Sequence, residues 1–462
     1  MSISSKYRNR LPLALIVGGA VASAFTWACT SSTDDEPSVD SSVPSREDGG
    51  RDVSTGPHDE SPEERDASKK PGEEEDAGDG GGELVLDAGD GDASDGGDAG
   101  GPPPNVIVQV AVGPDSPGWS FACALSAPGD VYCWGAGYTL VPGAIPNLTD
   151  VVELSAGTRH VCARRASGIV ACWGQNISGQ LGDGTTTGGG SPVEVFELTD
   201  AVEIAAGESH TCARRASGSV VCWGANNYGQ LGDGTTIAHV IPELVTGLTD
   251  AVQITARWSS NCAKRATGQV VCWGQNNSGK LGDGTTTAQL APTPVPDLTN
   301  VEEVRIGYNH TCARLDTGAL RCWGGNWSGQ LGNGQQNASS RVPVTANITD
   351  VARVAMGNNL TCVATSAGAP FCWGEGSGVG DGVFGARLTP VATPGVTDVA
   401  QLAAGNLVSC AVRASGEVWC WGNNRDGALG DGTKVERWTP APVFGLPGSP
   451  VDTPDGGVDG GP

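Results

Sequence analysis

From about residue 105 onward the apolar residues fall in short alternating runs. "DVVELSAG" at 150–157 and "AVEIAAG" at 201–207 are typical. Each is followed by a run such as "HTCARRA", then by one such as "SVVCWG", and finally by a fourth such as "PELVTGL" at 242–248. Period-two alternation rich in β-branched residues, broken by Gly-, Asn- and Asp-rich turns, predicts strands, and no stretch carries a helical stripe. The phrase around "CWG" recurs at Trp134, Trp173, Trp223, Trp273, Trp323, Trp373 and Trp421. A repeat of about 50 residues with four short strands, occurring seven times, predicts an all-β fold, a seven-bladed β-propeller of four-stranded blades. The units run over about 105–150, 151–200, 201–250, 251–300, 301–350, 351–398 and 399–446. Closure of the ring is expected to join a strand near 106–112 to strands of the last unit.

The cysteines sharpen this picture. They come in pairs ten residues apart: Cys123 and Cys133, Cys162 and Cys172, Cys212 and Cys222, Cys262 and Cys272, Cys312 and Cys322, Cys362 and Cys372, Cys410 and Cys420. A glycine always follows the first cysteine by six places, as at Gly218. If the two face each other across a hairpin, a three-residue tip of the type "ASG" results, with glycine in the left-handed position that a type I turn plus bulge requires. Counting back from the tip puts the cysteines at a closely spaced, non-hydrogen-bonded pair, within disulfide reach. Structural zinc favours C-x₂₋₄-C spacing, which is absent, so seven disulfides are expected and no metal. The fifteenth cysteine, Cys29, stands apart.

Charge divides the chain. Of the net −25, residues 30–104 supply −18, with 23 acidic and 5 basic side chains and almost no apolar residue. Such a segment cannot bury enough surface to offset the entropy of ordering, so 30–104 reads as a disordered acidic linker, and 447–462 as a disordered tail. The overall charge argues against a nucleic-acid partner. Ahead of the linker, Lys6, Arg8 and Arg10 precede an apolar run that ends in "TWAC". This is the pattern of an export signal, residues 1–29. The small residue before cysteine resembles the lipobox of bacterial lipoproteins, which implies acylation at Cys29, an outer-membrane or cell-surface location and a membrane link through lipid alone. Secretion after ordinary cleavage is the alternative. Either route leads to an oxidising compartment, where disulfides persist.

"HTCARRASGSVVCWGANNYGQLGDGT", with "GQLG" at 179–182, 229–232 and 329–332 and "GKLG" at 279–282, resembles the repeat of the regulator of chromosome condensation family. The resemblance covers roughly 105–446 and implies a seven-bladed propeller of four-stranded blades. The family's founding activity is nucleotide exchange on a small nuclear GTPase, and the family also includes secreted bacterial members that bind β-lactamases. Unit one lacks "GQLGDGT", unit six reads "GEGSGVGDG", and Arg257 stands where units two, three, five, six and seven have Gly157, Gly207, Gly307, Gly357 and Gly405.

Candidate chemistry is sparse. No G-x-S-x-G, H-E-x-x-H or phosphate-cradling loop occurs. Asp183, Asp233, Asp283 and Asp431 of "GDGT" read as turn formers. The "CWG" tryptophans, fixed in every unit, read as core between blades. The aromatics that do not repeat, Trp119, Tyr138, Tyr228, Trp258, Tyr308 and Trp327, are the candidate binding residues. The resulting expectation is a monomeric, non-enzymatic cell-surface module, without cofactor, that presents one face to a protein or glycan. Nucleotide exchange by family analogy, or an enzyme using the central channel, is the alternative.

Overall fold

The computed structural model describes residues 105–113 and 118–449. The signal segment, Cys29, the acidic linker and the chain from 450 lie outside the described residues. The described chain forms seven four-stranded antiparallel sheets, each built from four consecutive strands in sequence order. The first strands are Ile107–Val112, Val151–Ala156, Ala201–Ala206, Ala251–Arg257, Val301–Ile306, Val351–Met356 and Val399–Ala404. They surround a single central chamber of about 330 Å³. This is a seven-bladed β-propeller.

Closure differs from the expectation. Ile107–Val112 pairs with Phe121–Ser126 of its own blade rather than with a strand of the last one. The ring closes by packing instead. Trp134 of blade one donates its indole N–H to the Ala428 carbonyl of blade seven at 2.8 Å. Gln401 of blade seven accepts from the Val110 amide at 3.0 Å and donates to its carbonyl at 3.0 Å. A meander that satisfies its own backbone has no need to borrow a strand.

The second and third strands make the hairpin that the cysteine spacing predicts. In blade three Arg214 pairs with Val220 and Cys212 with Cys222, and the tip is Ala216–Gly218. The Gly218 amide donates to the Arg215 carbonyl at 2.9 Å, and Gly218 adopts φ 84°. All seven cysteine pairs are closed as disulfides, with Cα separations of 4.0–4.1 Å.

Between blades lies the core. Every "CWG" tryptophan is buried to within 1 %. Each donates to the preceding blade: Trp223 to the Gln180 carbonyl at 2.9 Å, Trp273 to Gln230 at 3.1 Å, Trp323 to Lys280 at 2.9 Å, and Trp373 to Gln330 at 3.0 Å. The "GQLG" phrase is therefore the acceptor loop for the next blade's indole. In blade six a short 3₁₀ turn, Ser377–Val379, presents the Gly378 carbonyl to Trp421 instead, at 2.8 Å. Blade one has no such loop, and the Tyr138 hydroxyl accepts from Trp173 at 2.9 Å. A buried indole N–H without a partner would be costly, which explains why the carbonyl is replaced wherever the phrase is lost.

A second interblade device was not read from the sequence. The third residue of the first strand is Gln or Glu in six blades, and in five of them it clasps the next blade's backbone. Gln109 accepts from the Leu154 amide at 2.8 Å, Glu153 from Ile204 at 3.2 Å, Glu203 from Ile254 at 3.1 Å and Gln253 from Val304 at 3.0 Å.

Candidate functional site

In a four-stranded meander the turn from first to second strand and the loop from third to fourth fall at the same end. The "ASG"-type tips and the connections between blades fall at the other. All six candidate aromatics therefore sit at the loop end: Trp119, Trp258 and Tyr308 on first-to-second turns, Tyr138, Tyr228 and Trp327 on third-to-fourth loops.

The loops are held stiffly by groups the sequence reading passed over. Asn176, Asn226, Asn276 and Asn424, one per loop and almost fully buried, pin the loop at both ends. In blade two the Asn176 side-chain oxygen accepts from the Leu181 amide at 2.9 Å, while its amide nitrogen donates to Asp183 and to the Thr185 and Thr187 carbonyls at 3.2 Å. Asp183 accepts from the Thr185 amide at 3.0 Å. The repeated aspartates are turn residues; burial raises the Asp233 and Asp431 carboxyls, but hydrogen bonds from Thr235 and Thr433 and the other donors around them outweigh it and hold both below their usual range. No group of three or more His, Cys, Asp or Glu side chains is placed to hold a metal among the described residues.

At the axis the exceptional Arg257 explains itself. The glycines at its position approach the next blade closely: a Cβ on Gly157 would stand 2.5 Å from the Gly207 carbonyl oxygen. In blade four the side chain turns into the lumen instead. Arg257, 8 % exposed, crosses it and donates to the Ala404 carbonyl of blade seven at 2.9 Å. Trp258 follows with φ 50°, a left-handed conformation that bulky residues avoid. It reaches over blade five, donating to the Asn358 side-chain oxygen of blade six at 3.2 Å. Its ring packs on Tyr308, centroids 4.3 Å apart. Beneath them Lys280, which takes the place of a "GQLG" glutamine, donates to the Tyr308 carbonyl at 2.7 Å. Burial lowers its pKa to about 7, and nearby Glu208 works the other way. The channel is thus closed at the loop end by an Arg–Trp–Tyr group.

Two further aromatic features flank the axis. Between blades one and two, where the acceptor loop is missing, Trp119, Tyr138, Arg159 and Gln175 line a cavity of about 300 Å³. The Arg159 guanidinium lies 5.1 Å from the Trp119 ring centroid. Phe384 and Trp438 pack at 5.6 Å at the rim of blades six and seven. Tyr228 and Trp327 are exposed on separate blades. Arg159 and Phe384 were missed because each acts only through an aromatic distant in sequence.

Three histidines stand apart from this surface, whereas His239, half-buried at the loop end, bonds the Asp233 carboxylate at 3.1 Å. His160, His210 and His310 are fully buried between blades and bond to Thr211 at 2.9 Å, Asn261 at 2.9 Å and Thr361 at 2.8 Å. Burial lowers their pKa values to about 3, 4 and 3, so they are neutral struts at physiological pH. The channel carboxylates Glu153 and Glu203 are ion-paired to Arg164 at 2.7 Å and Arg214 at 2.8 Å.

A family model described as the RCC1-like domain matches residues 90–348, and regulator of chromosome condensation (RCC1) repeats match 399–428 and 415–453. The chain belongs to the RCC1-like family. No curated protein matches it in sequence. Among solved structures it is similar to Prp20p of Saccharomyces cerevisiae, described with its binding properties to Gsp1p and histones, at 22 % identity and a TM-score of 0.63 over 70 % of this chain and 87 % of that one. Yeast RCC1 (Prp20) bound to Kap60 gives 21 % identity and a TM-score of 0.63, over 68 % and 84 %. Human WBSCR16 gives 22 % and 0.60, over 68 % and 86 %. At these identities the likeness concerns the fold alone.

Proposed function

We propose that this protein is an exported, non-enzymatic binding module that holds a protein or glycan partner against the loop end of its ring. One observation carries the reading: all six candidate aromatics lie at that end, and Trp258 adopts an unfavourable backbone conformation to cover the axis there. Strain of this kind is retained where surrounding structure enforces it, often at functional positions. Binding fits better than catalysis, because the channel carboxylates are engaged by arginines and backbone amides, and of the four histidines among the described residues three are sealed between blades and His239 is bonded to Asp233. The protein ligands named for the yeast relatives agree with a ring that works by contact. Seven disulfides suit a compartment outside the cytoplasm. Cys29 would carry the lipid, and the acidic segment would act as a tether holding a monomeric ring off the membrane.

The test uses the full-length protein with its own signal. Material captured from envelope extracts, and signals on a glycan array, are compared for the parent, for Tyr228→Ala with Trp327→Ala at the loop end, and for Asp316→Ala at the opposite end. The loop-end pair loses the bound material and Asp316→Ala keeps it. Equal retention by both, or turnover of a screened substrate, overturns the reading. Fatty-acid labelling, abolished by Cys29→Ser, checks the anchor separately.

A further inference from the structure

The channel opens toward the end opposite the aromatics, and its walls are unequal. Along each first strand the third, fifth and seventh residues face the lumen. Arg257 is seventh in blade four, Arg305 fifth in blade five and Arg353 third in blade six, and all three line the chamber. They form a diagonal of guanidinium groups across three adjacent blades, stepping by two residues, about 6.6 Å along the axis, each time. Exposure grows along it: Arg257 is buried, Arg305 half-buried and Arg353 exposed. Arg353 hydrogen-bonds only carbonyls, of Ala352 at 3.0 Å and Ala400 at 3.3 Å, and no ion pair is made to it among the described residues.

The lumen's own carboxylates neutralise only the middle rung of this ladder, Arg305. Glu153 and Glu203 are taken by Arg164 and Arg214 from the second strands, and Glu303 by Arg305 at 2.7 Å and Arg314 at 3.6 Å. With those second-strand arginines counted, six guanidinium groups face three carboxylates. The other side of the mouth is apolar. A bulge in every first strand turns the second residue outward, and in blades one to four this residue is valine: Val108, Val152, Val202 and Val252, each 37–47 % exposed. Blades five, six and seven have Glu302, Ala352 and Ala400 there. A contiguous apolar crescent at a cavity mouth marks a contact surface.

We propose that this mouth binds an extended acidic peptide segment that also carries aliphatic side chains. Alternate residues of an extended chain project to one side about 6.6 Å apart, so carboxylates along that side meet Arg353 at the rim and reach toward Arg305, one blade away and one step deeper. The intervening aliphatic side chains lie on the valine crescent. A dense polyanion fits poorly, because Glu153, Glu203 and Glu303 stand in the same wall. The site is separate from the loop end and does not depend on the function proposed for that end.

The experiment is fluorescence anisotropy with the full protein and a labelled synthetic peptide of alternating Asp and Gly that includes two Leu. Saturable binding is expected in the micromolar range, lost when Asn replaces Asp. Arg353→Gln weakens it about tenfold, as loss of a charged hydrogen bond does. Val202→Asp, on the opposite side, weakens it comparably, while Tyr228→Ala leaves it unchanged. Each variant's melting temperature is matched to the parent's, so a folding defect is seen as such. Absence of saturable binding overturns the proposal. So does displacement of the peptide by citrate or tripolyphosphate at equal affinity with Val202→Asp silent, which would make the mouth a simple anion site.

Discussion

A single departure from the repeat can be weighed at Lys280. Its three counterparts, Gln180, Gln230 and Gln330, put a neutral amide where Lys280 puts an amine that is 2 % exposed. Burial disfavours the charged form, and the pKa falls from 10.5 to about 7. Because the folded value lies below the unfolded one, the unfolded chain holds the proton more tightly between those limits. The penalty is complete below about pH 7 and is relieved as pH rises toward 10.5. Stability of the parent is therefore expected to climb between pH 7 and 10. Lys280→Gln should remove that component of the slope and raise stability at pH 7 by about 1–2 kcal/mol, read from urea unfolding at several pH values. A variant that is less stable at pH 7 and keeps the slope would show that the ammonium is satisfied where it lies. The companion departure, Arg257, is visible as a residue out of pattern, yet its destination is not. Its partner Ala404 is 147 residues away, and no local pattern encodes which of six other blades a side chain crosses to.

At the level of the element, the hairpin is the unit most completely written in the sequence. Ten-residue spacing, an odd tip and a glycine at its third place determine the register of Cys212 with Cys222 without any knowledge of the ring. Each bridge closes about 11 residues, so the chain-entropy model assigns it roughly 2.5–3 kcal/mol. Replacing Cys262 and Cys272 together by alanine should cost about that much in chemical unfolding, with the other six bridges intact by non-reducing mass spectrometry. A loss below about 1 kcal/mol would mean that packing alone holds the hairpin. The candidate surface was legible to a lesser degree. Aromatic residues out of pattern could be picked by eye, and strand order then put all six at one end. What could not be read was pairing: Trp258 with Tyr308, Arg159 with Trp119, Phe384 with Trp438. The Gln and Glu clasps of the first strands, and the buried Asn of each loop, did leave a signal, since both recur at fixed unit positions. Their meaning emerges only when the next blade is in place to receive the hydrogen bond.

For the whole molecule, the mode of closure decides how the ring responds to being cut. Each blade completes its own sheet, and the seams draw on three recurring contacts: an indole to the preceding blade's loop, in five seams a buried hydroxyl or amide to the same carbonyl, and in most a first-strand side chain to backbone. In the seam of blades two and three these are Trp223 and Thr211 to the Gln180 carbonyl and Glu153 to the Ile204 amide. The seam of blades seven and one keeps the indole and the first-strand contact, Trp134 to Ala428 and Gln401 to Val110, with Ala122 in the place of Thr211, so no contact peculiar to it marks the natural ends of the ring. Those ends also meet, since a Cβ on Gly448 would stand 3.5 Å from the Asn105 carbonyl oxygen. A permutant of the ring with Ser449 joined to Asn105 by a short Gly-Ser linker, and new ends opened in the exposed turn at Gly247, should therefore fold with all seven bridges formed. Its melting temperature should fall within a few degrees of the parent's, because nothing is lost but one exposed peptide bond. Had the first strand been shared between the first and last blades, that junction would instead be the clasp of the ring, and permutation would move it to a seam not built to hold it. A permutant that melts far below the parent, or that scrambles its disulfides, would show that the seam of blades seven and one carries a stabilisation the other six lack.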